Sequence, residues 1–337
     1  MACWSKLIVA NFVFKTIIGT SPSFESSPNQ IEEIIDRIDD FMEMMNYFCL
    51  IPRWIRYHLP WFKTRTAKYL NSKKQLDVIL DEIIEQRIKA INNWAPDKAL
   101  DADLLTLLLL VRDSIEKFPQ EILRPFDRHE IQHFLIEIFL AGIDSTSSTI
   151  CSIIYFVCKN PHVKKLLVEE IEKIFGPNLE QPVTTQSLNK LVYCEAVIKE
   201  TNRSIPFVPI TSRYSESPDE LGGFHWPAGT NIGINIHGIH MNTLHWTDPH
   251  SFKPERFISA DGNELVPETK NTFLMFGRGV RACMGRKLSM IIVKTFMVLI
   301  FTKYEVELLN EGQDLKIKYN GTNKCEEFFI HLKPRIR

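Results

Sequence analysis

Phe276-Gly277-Arg278-Gly279-Val280-Arg281-Ala282-Cys283-Met284-Gly285 sets one thiol in a loop punctuated by glycines. Glycine allows positive φ and lets another group come close to the backbone. A helical pattern over Cys283 to Ile300 predicts that the thiol stands at a helix N-terminus, where unpaired N–H groups favour an anion. Such a thiolate would hold a metal or serve as a nucleophile. A structural cysteine buried beside a turn is the plainer alternative.

Two other groups invite a chemical reading. Ala141-Gly142-Ile143-Asp144-Ser145-Thr146-Ser147-Ser148-Thr149 is a poor helix sequence inside a long helical pattern. Glycine costs about 1 kcal/mol there against alanine, and mid-helix hydroxyls bond back to the i−4 carbonyl and bend the helix. Such a weak patch marks either a site or a Ser/Thr-rich packing face. Glu200 and Arg203 lie at spacing i, i+3 on one helix face, by default a surface ion pair worth about 0–1 kcal/mol. His237, His240, His245 and His250 have irregular spacing, no neighbouring cysteine and no His-Glu-x-x-His helix, so they read as ordinary histidines rather than zinc ligands.

The elements that must position these groups follow from hydrophobic periodicity. Helical spacing runs over Gln30 to Tyr47, Thr66 to Asn93 (ended by Pro96), Asp101 to Val111, Asp127 to Lys159, Pro161 to Phe175 and Asn189 to Ser204. The Asp127 to Lys159 stretch would be roughly 50 Å long at 1.5 Å per residue, enough to cross a domain. Ser21 to Asn29 reads as a loop. Pro52 and Pro60 bracket an aromatic segment, Trp54, Tyr57, Trp61 and Phe62, that suits a membrane surface, a substrate entrance or a packed connection equally. The period changes to two over Val208 to Tyr214 and Asn231 to Ile239, and again over Tyr304 to Leu309, Leu315 to Tyr319 and Glu326 to Leu332.

Composition narrows the classes. The chain has 337 residues and a formal net charge of −1, so no basic excess speaks for nucleic acid as a partner. Its seven cysteines are scattered without a Cys-x-x-Cys pair, which fits reduced thiols facing the cytosol. Leu7 to Thr20 is apolar but short and interrupted by Asn11 and Lys15, so it reads as a buried helix rather than a membrane span.

Phe276, Gly279, Arg281, Cys283 and Gly285 together resemble the haem-binding loop of the cytochrome P-450 family. Three further segments resemble that family in its own order: Ala141-Gly142-x-Asp144, Glu200-x-x-Arg203 and Pro254-Glu255-Arg256-Phe257. The motifs cover Phe126 to the C-terminus; the first 125 residues are similar by helical pattern alone. The resemblance implies a mainly α, cytochrome P-450-like fold with small β-regions, lacking its N-terminal part. It implies one haem-thiolate domain over 1–337, with a helical substrate-side portion at 1–125 and a haem-binding core at 126–337.

By the same resemblance, the cofactor is haem b with Cys283 as axial iron ligand. Arg281 and Arg213 would reach its propionates, Phe276 would pack beside the thiolate, and Gly279 and Gly285 would shape the loop. Ala141 and Gly142 would face the haem and leave room for O2. Asp144 with Ser145 and Thr146 would deliver protons, Ser145 standing where the family's usual segment has threonine. Glu200, Arg203 and Arg256 would form a buried structural triad.

The implied activity is a monooxygenase that puts one atom of O2 into an apolar small molecule. Ile205 to Ile210 would help line its pocket, and an NADPH-dependent flavoprotein reductase would supply electrons. The implied location is the cytosolic face of the endoplasmic reticulum membrane with peripheral membrane contact, or the cytoplasm, since the family's anchor and Trp-x-x-x-Arg segment have no counterpart near Met1. Two other readings are a non-catalytic remnant that binds a partner or lipid, and a haem-thiolate isomerase or dehydratase that needs no O2.

Overall fold

A computed structural model describes residues 1–19, 28–93, 103–114, 126–262, 264–266 and 272–335. The helices are α1 Ala2–Ile18, α2 Pro28–Leu50, α3 Arg53–His58, α4 Pro60–Asn92, α5 Leu104–Ser114, α6 Arg128–Lys159, α7 Pro161–Phe175, α8 Thr185–Asn189, α9 Val192–Ser204, α10 Ile236–His240 and α11 Arg286–Lys303. Small antiparallel sheets pair β1 Ile210–Tyr214 with β4 Asn231–Asn235, and β2 Asp219–Leu221 with β3 Phe224–Trp226. Two more pair β5 Tyr304–Leu308 with β8 Ile330–Pro334, and β6 Ile317–Tyr319 with β7 Asn323–Cys325. The protein is thus mainly α with small β-regions. Residues 3–144 form one compact unit, and residues 1–2 with 145–337 form a second; the boundary falls inside α6.

In the first unit the helices follow their apolar stripes. α2 buries Ile31, Ile34, Ile35 and Ile38, and α4 buries Leu76, Leu80 and Ile84 at successive turns. α4 starts earlier than periodicity suggests, at Pro60, because proline in a first turn gives up an N–H that has no helical partner. The Ser21 to Asn29 loop lies mostly outside the described residues, and Pro28 and Asn29 already belong to α2. Pro96 and Asp101 also lie outside them. Asp103 caps α5 by accepting from the Thr106 N–H at 2.8 Å. The aromatic segment divides: Phe62 packs on Met44, Tyr47 and Tyr69, while Trp54, Tyr57 and Trp61 are exposed.

In the second unit α7 buries Val163, Leu167, Ile171 and Phe175. Its Glu170 carboxylate accepts from the Tyr193 and Cys194 N–H groups at 2.7 and 2.8 Å. This caps α9 from outside, so the helix predicted over Asn189 to Ser204 begins at Val192, and Asn189 ends the preceding short helix α8. The period-two run from Asn231 stops at Asn235, whose side chain accepts from the Gly238 N–H at 2.9 Å and starts α10 instead. A cluster of Ala196, Trp246, Phe257 and Phe273 forms the core between α9 and the loops that follow.

Among the described residues, α6 alone is long and apolar enough to cross a membrane by length and composition, and half of its most apolar window is buried inside the protein.

Candidate functional site

The cysteine loop closes on itself. The Cys283 N–H donates to the Phe276 carbonyl at 2.8 Å, Ala282 N–H to Gly279 O at 3.1 Å, and Gly277 N–H to Leu274 O at 3.1 Å. Gly277 and Gly279 make this possible with φ of +66° and +71°, the left-handed region that side chains resist. A 3-10 turn spans Gly279–Arg281, and α11 begins only at Arg286 with Gly285 as its N-cap. Cys283 therefore stands in the loop before the helix, not in its first turn. The period of the apolar residues runs past the true start because Ala282, Cys283 and Met284 continue it by composition, while the backbone is held by the bond to Phe276.

The thiol is exposed. Beside it Val280 and Met284 point outward with 102% and 84% of their surface accessible. A soft sulfur donor flanked by uncovered apolar side chains fits an iron-bearing ring that wants a thiolate below and apolar contact across its face. Phe276 is half-buried and lies under the Arg286 guanidinium, 5.6 Å from its centroid. Arg281 and Arg213 are both exposed; Arg213 donates to the carbonyl of its own neighbour Ser212 at 2.8 Å.

Glu200 and Arg203 are fully buried and meet through two parallel bonds, Nε to Oε2 at 2.7 Å and Nη2 to Oε1 at 2.9 Å. Arg256 Nε sits 3.1 Å from both Glu200 oxygens. The remaining donors of Arg203 reach His240 O at 2.9 Å and Pro249 O at 2.7 Å, and Arg256 reaches Thr247 O at 3.0 Å. Both guanidinium groups lie over Trp246, at 5.4 and 6.0 Å. The three side chains thus tie α9 to the segment 247–256.

One contributor escapes sequence reasoning. His240 is buried, stacks on Phe273 at 5.2 Å, and accepts from the Leu274 N–H through Nε2 at 2.9 Å. Burial first, and then the charge of Arg203, hold its pKa down at about 4, so the ring is neutral and Nε2 is free to accept. It fixes Leu274, whose carbonyl anchors Gly277 at the head of the cysteine loop. Nothing in the spacing of the histidines signals this; it depends on a chain reversal that brings residues 240 and 274 together.

The weak patch lies on α6. Ala141, Gly142 and Asp144 belong to the first unit, and Ser145 and Thr146 to the second with the cysteine loop. Ala141 is exposed and Ser145 half-buried, whereas Asp144 and Thr146 are each 3% exposed. A side chain on Gly142 would meet Val13 of α1 at 3.6 Å, an ordinary contact, so this glycine faces α1. Thr149 and Ser152 bond back to the carbonyls of Ser145 and Ser148 at 2.8 and 3.0 Å, the back-bonding expected of mid-helix hydroxyls. Asp144 is ion-paired with Lys6 of α1 at 3.1 Å.

Comparison with known proteins agrees with this geometry. A profile described as Cytochrome P450 matches residues 1–329. Cytochrome P450 82A1 of Pisum sativum is 29% identical over 315 residues, covering 90% of this chain and 55% of that protein. Probable cytochrome P450 4d20 of Drosophila melanogaster is 32% identical over 260 residues, covering 74% of this chain and 48% of its own. The chain therefore spans about half the length of the curated relatives it matches. Among solved structures, the cytochrome P450DA heme domain superposes with a TM-score of 0.81 at 19% identity, over 99% of this chain and 68% of that one. Loop, fold and profile converge, and the chain belongs to the cytochrome P450 family.

Proposed function

We propose that the protein is a monooxygenase that holds haem through Cys283 and inserts one oxygen atom of O2 into an apolar small molecule. The family's cofactor is haem with a cysteine thiolate on the iron. The observation that carries the reading is the loop closed between Cys283 and Phe276, which presents one exposed thiol among exposed apolar side chains. When bound, haem supplies the O2 activation and C–H oxidation that side chains lack.

The chain's own residues have four tasks. Cys283 donates sulfur, and its N–H bond to Phe276 holds it in place. Arg281 and Arg213 offer planar forks suited to the two carboxylates of a haem. Ala141 keeps its part of α6 free of bulk, whereas Gly142 faces α1 and serves the packing there. Asp144, Ser145 and Thr146 hold and pass protons, Ser145 having donor and acceptor capacity in one hydroxyl. The Glu200–Arg203–Arg256 triad keeps α9 and the segment 247–256 rigid against each other. In this reading 1–337 works as one haem-thiolate domain, with 1–125 on the substrate side and 126–337 around the cofactor. An NADPH-dependent flavoprotein reductase supplies electrons at the cytosolic face of the endoplasmic reticulum, where Trp54, Tyr57 and Trp61 would touch the membrane.

The test is the carbon monoxide difference spectrum of the reduced, haem-reconstituted chain. A strongly red-shifted Soret band supports thiolate ligation. No haem uptake, or a histidine-type band, overturns the reading and favours a non-catalytic remnant.

A further inference from the structure

Two of the scattered cysteines meet inside the second unit. Cys151 on α6 and Cys325 at the end of β7 are both free thiols, 1% and 9% exposed. Their side chains hydrogen-bond to each other. Cys325 Sγ also lies 3.2 Å from Ser152 Oγ and 3.6 Å from the Ser148 carbonyl, one turn apart on the same helix. The bond from Cys151, working against burial and helped by the bond from Ser152, holds the Cys325 thiol below its ordinary range. Cys158 and Cys194 go the other way: burial pushes the first up to about 11 and raises the second as well. Those two are inert structural thiols, whereas Cys325 is made nucleophilic by the groups around it.

We propose that Cys151 and Cys325 are a reversible dithiol–disulfide pair, closed by hydrogen peroxide, that clamps β7 to α6. The Cys325 thiolate attacks one peroxide oxygen and the O–O bond breaks. Cys325 becomes a sulfenic acid, and the hydroxide that leaves takes up the thiol's proton as water. The Cys151 sulfur then attacks the Cys325 sulfur. The S–S bond forms, the S–O bond breaks, and the second hydroxide leaves as water with the Cys151 proton. Two thiols thus lose two electrons, and one peroxide is reduced to two waters. A small dithiol reverses the step. Peroxide gains access through the β6–β7 hairpin, which pairs only Ile317, Lys318 and Tyr319 with Cys325, Lys324 and Asn323. So small a sheet is marginal by itself and opens locally at low cost. The same strand is bonded onward: the Asn323 N–H donates to Phe207 O and its Nδ2 to Pro206 O, both at 2.8 Å. Closing the pair therefore also steadies residues 206 and 207. That this steadies a wall of the substrate pocket rests on the function proposed above; the disulfide itself does not.

The test treats the full chain with hydrogen peroxide, alkylates the remaining thiols under denaturing conditions and reads the unreduced digest by mass spectrometry. The Cys151 and Cys325 peptides should appear joined, lighter than their sum by two hydrogens, and should separate on adding dithiothreitol. The joined pair should exceed any joined peptide containing Cys158 or Cys194 at least about tenfold, since thiolate character selects the site. In Cys151→Ala, dimedone should capture Cys325 as its sulfenic acid; in wild type it should capture little there. Peroxide that oxidises the exposed Cys3 and Cys49 but leaves Cys151 and Cys325 as thiols overturns the proposal in the wild-type chain, with no variant needed. Cys325 carried to the sulfinic acid without a bridge overturns it too. Hydrogen exchange at the Asn323 and Lys324 amides should slow about tenfold on oxidation and recover on reduction. Unchanged exchange in the bridged chain overturns the clamp. None of these readouts needs haem, so their failure is distinct from failure of the carbon monoxide spectrum that tests the activity.

Discussion

Arg203 grips Glu200 through two parallel bonds of 2.7 and 2.9 Å while neither side chain reaches solvent. A charge pair so deep is held only because each partner has further hydrogen bonds: Arg203 also donates to His240 O and Pro249 O, and Glu200 also accepts from the Lys253 N–H and Arg256. Arg203→Ala should therefore cost about 3–5 kcal/mol by stranding the carboxylate, measured by urea unfolding. Arg256→Ala, at the more open edge, should cost about 1–3 kcal/mol. Equal losses would mean that Glu200 is not the shared centre.

In the haem-free chain, Cys283→Ala should leave the unfolding free energy within about 0.5 kcal/mol of wild type, because the thiol is exposed. The same substitution should abolish any thiolate-type haem spectrum. A persisting thiolate band would assign the ligand to another cysteine.

Ser145→Ala should raise peroxide released per NADPH consumed, since it removes the half-buried hydroxyl next to Asp144 and leaves the helix ladder intact. Unchanged coupling would take Ser145 out of the proton path.

Gly279→Ala should cost about 1–2 kcal/mol from φ alone, because no atom lies within 4 Å of the added methyl at φ +71°. Haem affinity should fall with it. A neutral result would show that the loop can reach another backbone conformation.

Stability should fall as the solution is acidified, in part through His240. Its pKa is near 4 in the folded chain against an ordinary 6.5, so the unfolded chain takes up the proton first. The stability linked to this ring is complete above pH 6.5 and is lost between 6.5 and 4, up to about 3 kcal/mol. Urea midpoints measured across that window should steepen for wild type relative to His240→Asn. Parallel curves would free His240 of the role.

The chemistry of the cysteine loop and the succession of helices were legible because both are local. Apolar residues repeat with the period of the backbone they will adopt, so α7 begins and ends where its sequence says it should, at Pro161 and Phe175. Glycines at 277 and 279 announce a turn by the φ only they tolerate. What local sequence could not decide was the partner of each polar group. Asn235 ends a strand and Glu170 sets the start of α9 by capping a backbone end, one on its own element and one from another helix. Arg203 finds its acceptors 37 and 46 residues away, His240 finds Leu274 34 residues away, and Lys6 finds Asp144 across most of a unit. Those pairings exist only once burial has removed water as the competing partner, and which groups are buried together is a property of the packed chain rather than of any stretch within it.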